Sequence, residues 1–285
     1  SYSSATVGDA HGFWLDGSTR TQVSFSTAVN NSALLHAFYL DGGGNNAFTV
    51  IFASNSSVAG DGLYARGSDT NTVTRSYLWG GDYGVDLEAG SDYNAISFSS
   101  MIGKANTGLF TNGVDSNTVT QSYIGGYLIG VNFSNGSDYN TIMLSTLNAA
   151  GNFGLYLTNS ASNTVTQSYI WGGGQYGVHL GVGADGNSIS FSTIIGNSQY
   201  GLYASAASTN SVKQSYIWGV DYGVYMSGGS DYNTISLSTM IGNAQSGLYV
   251  TGADSNTVTQ SYMWGSQAGA QLWTGSDYNT ISLST

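Results

Sequence analysis

Every 46 or 47 residues the chain repeats itself, and each repeat divides into two near-copies that open on glycine. These glycines are Gly62, Gly84, Gly108, Gly130, Gly154, Gly177, Gly201, Gly223, Gly247 and Gly269. Odd copies follow the pattern G-L-Y-x-x-G-x-D-S-N-T-V-T-Q-S-Y-I-W-G, even copies G-V-x-L-x-x-G-S-D-Y-N-T-I-S-x-S-T-x-I-G-N. A period this short leaves no room for a separate core in each repeat. Each copy buries its apolar face only against the copies before and after it, which is the condition of a solenoid. The expectation is one elongated body. Degenerate rungs over residues 1–61, opening at Gly12 and Ala37, run on into regular two-rung repeats over 62–285.

Within a rung, apolar and polar residues alternate in three short runs separated by Gly, Asp and Asn, the periodicity of strands joined by turns. In the rung from Gly201, Leu202 and Ala204 point inward on the first strand, Val212 on the second, and Ser215 and Ile217 on the third. Three strands per rung, each paired with its equivalent one rung away, make a parallel β-helix with rungs about 4.8 Å apart. The inward columns alternate in size: Leu202, Val224, Leu248 on the first strand and Val212, Ile235, Val258 on the second, with Ile217, Met240, Met263 on the third.

A polar column stands among them. Asn71, Asn94, Asn117, Asn140, Asn163, Asn187, Asn210, Asn233, Asn256 and Asn279 occupy equivalent turns, with Asn46 one rung earlier. Asn tolerates the left-handed conformation of a sharp bend, and stacked amides satisfy one another when buried. On this ladder and the recurring N-T-V/I element, the chain resembles the right-handed parallel β-helix proteins, the pectate-lyase-like group. The resemblance is closest to surface and adhesin-type members rather than the lyases. It implies an all-β, right-handed, single-stranded β-solenoid of about twelve rungs of 22–25 residues. That group spans polysaccharide lyases, phage tailspikes, adhesins and passenger domains, so the resemblance alone assigns no activity.

Four outward features are candidates for function. A third-strand stripe of Tyr77/Trp79, Tyr123, Tyr169/Trp171, Tyr216/Trp218 and Tyr262/Trp264 reads as a binding surface or interface. Arg66, Asp86 and Glu88, with Asp82 at the preceding turn, are the best constellation for acid–base work on a polysaccharide, but an ordinary surface ion pair is the favoured reading and no catalytic residue is assigned. A column of Asp69, Asp92, Asp115, Asp138, Asp185, Asp231, Asp254 and Asp277 fits capping of each residue's own turn, or calcium. A T-x-T array (Thr72/Thr74, Thr118/Thr120, Thr164/Thr166, Thr257/Thr259) resembles the flat face of ice-binding solenoids. His11, His36 and His179 are expected at incidental surface positions.

Composition excludes more than it selects. Five cations against sixteen acids give a net charge of −11, which argues against nucleic acid and anionic lipid as partners. No apolar run reaches the length of a membrane span. With no cysteine, a Cys-based metal site is excluded, and neither cofactor nor metal is expected. Low charge with abundant Ser, Thr, Asn and Tyr points to the cell exterior or surface. The chain opens without Met and stops partway through a rung, with Ser1-Tyr2 in phase with Ser76-Tyr77. The expectation is a processed or excised piece of a longer solenoid, or rungs that stack head to tail. The first expectation for function is therefore a non-enzymatic, self-assembling extracellular fibre or adhesin segment. Its partners would be copies of itself and surface glycans. A polysaccharide-binding or polysaccharide-cleaving protein comes second, and ice binding third.

Overall fold

The computed structural model describes residues 2–5, 10–32 and 34–285, the first four as backbone. Every regular element among them is a β-strand, in the parallel β-solenoid that the periodicity predicts. The chain forms two compact units, Ser1–Thr146 and Leu147–Thr285.

In the first unit the first strands are Phe13–Asp16, Phe38–Asp41, Leu63–Arg66, Val85–Glu88, Thr107–Asn112 and Ile129–Ser134, each parallel to the next. Second and third strands are separate in the regular rungs, as in Thr72–Thr74 and Tyr77–Gly80, but fuse into nine-residue strands at Gln22–Asn30 and Ala47–Asn55. The backbone of Tyr2 pairs with Thr27, which pairs with Phe52 and through it Tyr77, so Tyr2 holds the expected third-strand position. Ser1 lies outside the described residues. In the second unit the first strands are Phe153–Thr158, Val178–Leu180, Tyr200–Ser205, Tyr222–Ser227, Ser246–Thr251 and Ala268–Leu272. Six first strands in each unit make the twelve rungs expected.

The core columns fall where alternation places them. Leu202, Val224 and Leu248 are in register and buried, as are Val212, Ile235 and Val258, and Ile217, Met240 and Met263. Each such side chain stabilises the fold by about 1.5–3 kcal/mol, and every rung contributes several. The opening glycine has a steric cause. A Cβ on Gly201 would lie 2.7 Å from the carbonyl oxygen of Gly223 and 2.6 Å from Ile217 Cγ2. The next rung and the third strand close on this point, so no larger residue fits.

Three polar ladders tie rung to rung. The Asn ladder is buried, and each Oδ1 accepts from the amide of the preceding rung, for example Asn71 N–H to Asn94 Oδ1 at 2.8 Å and Asn187 N–H to Asn210 Oδ1 at 2.8 Å. A serine ladder not anticipated from sequence runs beside it. Ser192 N–H donates to Ser215 Oγ at 3.2 Å, while Ser215 Oγ donates to the Lys213 carbonyl at 2.9 Å. The Asp column caps, but not its own turns: Asp92 Oδ1 accepts from the Asp115 amide at 2.7 Å, and Asp231 Oδ1 from the Asp254 amide at 2.7 Å. Successive turns stack so closely that the nearest free amide belongs to the next rung. Where Ser208 replaces Asp, its Oγ accepts from the Asp231 amide at 3.2 Å.

The ladder asparagines are not the left-handed residues. The residue just before each one is, including Thr70, Tyr93, Ser116, Tyr139, Ser162, Thr209, Tyr232 and Ser255, with φ between +56° and +59°. The Asn side chain must point inward to reach the neighbouring amide, so the reversal falls one residue earlier. A second left-handed bend separates second from third strand, at Arg75, Phe98, Gln121 and Leu144 in the first unit and Gln167, Phe191, Gln214, Leu237 and Gln260 in the second.

Candidate functional site

Two columns on the outer side of the first strands carry the chemistry. One is the outward residue of the strand itself, the other the residue just before the opening glycine. In the first unit they bring together Tyr64, Asp86 and Phe110 with Asp61 and Tyr83. Asp86 is only 5 % exposed, although the strand pattern directs it outward, because Tyr64 and Phe110 flank it on neighbouring rungs. Its Oδ1 is buried without a partner. Burial, reinforced by Asp61, Glu88 and Asp82, pushes its pKa up to about 9, so the group is a neutral acid at pH 7.

Glu88 is an acceptor beside it. Tyr64 Oη donates to Glu88 Oε2 at 2.9 Å and Asn112 Nδ2 to Oε1 at 3.4 Å. Burial raises the Tyr64 phenol, and the carboxylate it serves raises it further. Asp82 is raised by burial chiefly; beside it Asn106 Nδ2 donates to Tyr83 Oη at 3.3 Å, and the Tyr83 ring stacks on Phe110 at 4.9 Å. On the other flank, Asp61 Oδ1 accepts from the Tyr83 amide at 3.1 Å. Its Oδ2 lies 2.8 Å from His36 Nδ1, an ion-pair distance without hydrogen-bond alignment.

The sequence placed Arg66, Asp86, Glu88 and Asp82 together, and register confirms that Arg66 and Glu88 are equivalent. The ion pair does not form, however. Among the described residues the only contact of that kind is His36–Asp61, while burial chiefly raises the Tyr39 phenol, with Asp41 adding to the shift and Arg66 opposing it. Asp61, His36, Tyr64 and Tyr83 are members that sequence reasoning missed. The histidines are not incidental surface groups. His36 stacks on Tyr64 at 4.4 Å and on His11 at 5.5 Å, and burial chiefly lowers the His11 pKa to about 4.

In the second unit the same two columns hold rings. Tyr156, His179, Tyr203, Tyr225 and Tyr249 follow one another at centroid distances of 4.9, 4.9, 5.2 and 5.1 Å. Phe153, Tyr176, Tyr200 and Tyr222 run alongside at 5.3, 4.9 and 5.5 Å. His179, enclosed in this stack with Nδ1 unpartnered, is lowered to about 4 by burial.

The third-strand stripe faces outward as its phase predicts. Tyr77, Tyr123, Tyr169, Tyr216 and Tyr262 are 38 to 47 % exposed. Trp264 is exposed too, whereas Trp79, Trp171 and Trp218 are half-buried. In the second unit Tyr169/Trp171, Tyr216/Trp218 and Tyr262/Trp264 alternate in register with Thr193/Ile195 and Thr239/Ile241. Lys104 lies over the Trp79 ring at 5.9 Å. Where Gly125 replaces Trp, the Tyr123 ring occupies the space a Cβ would need, at 2.8 Å. The T-x-T hydroxyls in part bond to one another, as Ser190 does to Thr166 at 3.0 Å.

The chain belongs to the right-handed β-helix region family, which matches residues 36–194. The periplasmic copper-binding protein (NosD) family matches residues 145–283. No curated protein matches it. Among solved structures, the A-module of the Azotobacter vinelandii mannuronan C-5 epimerase AlgE4 is similar, with a TM-score of 0.73 and 10 % identity over 98 % of this chain and 88 % of that one. The periplasmic alginate epimerase AlgG gives 0.67 and 10 % over 97 % and 79 %. Tailspike protein 3 of bacteriophage CBA120 gives 0.62 and 10 % over 99 % of this chain but only 55 % of its own length. Likeness at such identity is a likeness of fold.

The residues present do not fit copper. The stretch matching the copper-binding family has one histidine, His179, and no cysteine, and its Met226, Met240 and Met263 are core residues. Among the described residues no three His, Asp or Glu side chains gather as a ligand set.

Proposed function

We propose that the protein binds and cleaves polysaccharide at the cell exterior, and that the acid pocket of the first unit is its reactive centre. The observation that carries this is Asp86: a carboxylic acid held neutral, with one oxygen unpartnered, beside the acceptor Glu88. A proton donor and a carboxylate side by side are what glycosidic cleavage requires. Asp86 gives its proton to the leaving glycosidic oxygen as the C–O bond breaks. Water adds to the anomeric carbon and surrenders a proton to Glu88. The neighbouring rings, Tyr64, Tyr39 and Phe110, offer faces for sugar. Similar folds named as an alginate epimerase, a mannuronan C-5 epimerase and an alginate lyase support a polysaccharide as the substrate. An extracellular or periplasmic setting suits it too, and among the described residues no helix is long and apolar enough to cross a membrane.

The test is product release from a panel of acidic and neutral polysaccharides. Asp86→Asn and Glu88→Gln should each reduce cleavage by about 10²–10⁴-fold while the fold is retained. Cleavage undiminished in both variants, or no cleavage of any polysaccharide, overturns it.

A second reading is a self-assembling surface fibre or adhesin segment. The half-exposed Tyr/Trp stripe favours it, because regularly spaced aromatics on an otherwise weakly charged surface suit contacts between copies.

A further inference from the structure

The bend between second and third strands carries, in the first unit, an open cleft of about 490 Å³ whose lining includes Phe25, Val50, Phe52, Arg75, Tyr77 and Phe98. Phe25, Val50, Arg75 and Phe98 fall one per rung, all left-handed, so the column runs about 14 Å at the usual rung spacing. Phe25 is 76 % and Phe98 55 % exposed. Phe52 and Tyr77 stack at 5.3 Å and 7° to form the other wall. No carboxylate lines the cleft, and among the described residues Arg75 has no ion-pair partner. In the regular odd rungs this position is Gln121, Gln167, Gln214 and Gln260. Four aromatic rings around one unpaired arginine is the composition of a protein interface rather than of an ordinary surface.

The chain also presents the complement. In the first unit the turns between first and second strands expose Tyr93 and Tyr139, 63 and 64 % accessible, directly after Asp92 and Asp138. They stand two rungs apart, about 9.6 Å, which fits within the cleft's length. We propose that the cleft receives these Asp-Tyr turns from a second copy of this chain, with Tyr93 among the phenylalanines and Asp92 opposite Arg75. This inference deepens the fibre reading and rests on it, and of the Tyr/Trp stripe the cleft takes in Tyr77 alone. Ridge and cleft are different patches, so the contact is heterologous and leaves a free ridge and a free cleft for further copies.

Sedimentation equilibrium of the full chain at 0.15 M salt tests it. Arg75→Gln copies the residue of four equivalent bends, and Tyr93→Thr copies Thr70 and Thr209, so both variants keep the fold. Wild type should gain mass with concentration. Each variant should weaken association about tenfold, and the double variant little more than either single one. A wild type monomeric throughout overturns both the cleft and the fibre. Association lost on Trp171→Ala with Trp218→Ala, yet unchanged by Arg75→Gln and Tyr93→Thr, overturns the cleft alone. A monomer retained on an acidic polysaccharide through Arg75 assigns the cleft to sugar instead, and likewise overturns the proposal.

Discussion

The two units set different side chains on the same backbone positions. Before the opening glycine and on the outward first-strand position, the second unit holds Tyr176, Tyr200 and Tyr222 beside Tyr203, Tyr225 and Tyr249, each ring in contact with the next. The first unit holds Asp61 and Asp86 there, between rings that a tyrosine would have continued. Stacked phenols stabilise the rungs that carry them, by about 0.5–1.5 kcal/mol per pair beyond their burial. A carboxyl in the same surroundings is destabilising unless it stays protonated. One repeat therefore carries two kinds of column. Where rings continue, the column is stabilising; where acids interrupt it, local stability is given up, and the proposed reactive centre lies there.

The largest test of this contrast is the pH dependence of Asp86. Its folded pKa is raised from 3.8 to about 9, so the folded state binds the extra proton between those values. Stability from this group is full below pH 4 and falls as pH rises towards 9, by about 7 kcal/mol at most before relaxation. Asp86→Asn should flatten that alkaline loss in thermal melts of the full chain, and a wild-type midpoint that does not fall between pH 5 and 9 would contradict the assignment. The second unit should show the opposite sign. His179 is lowered from 6.5 to about 4, so its contribution is full above pH 6.5 and lost as pH falls through 4, by about 3 kcal/mol at most. His179→Tyr, the residue at equivalent positions Tyr203 and Tyr225, should remove this part of the acid loss and leave the His11 part in the first unit. The smallest effect is expected at Tyr203→Leu. Losing two stacked contacts but retaining most of the apolar area should cost about 1–2 kcal/mol, read by urea denaturation. An effect near zero would mean the rings merely coexist.

The inward columns were legible because Leu/Val and Val/Ile alternation at fixed period has one reading. The Asn ladder was legible by recurrence, although its left-handed neighbour was not, since Thr, Ser and Tyr carry no mark of that conformation. The serine ladder was hidden by composition: Ser76, Ser99 and Ser122 look like any other serine in a serine-rich chain. The first-strand rings were misjudged for a different reason. Period-two alternation says which way Tyr64, His179 or Asp86 points, but not that equivalents 4.8 Å away close over them. Three of the acid-pocket residues, Asp82, Asp86 and Glu88, were placed together by their spacing, with Arg66, which forms no ion pair there. Asp61 and His36 were not, because the longer N-terminal rungs blur the register that brings them to 2.8 Å.

The ladders have a consequence for how such a chain is made and remade. Asn side chains reach back one rung and Asp side chains reach forward one, so rungs that carry both offer the same sockets to both neighbours. Nothing in those bonds records how many rungs precede or follow. A block of two rungs, such as residues 177–222, is thus a portable module. It can be excised or copied in tandem with its seams already matched, so the length of the array is free to vary while its chemistry stays fixed at the few rungs that break the pattern.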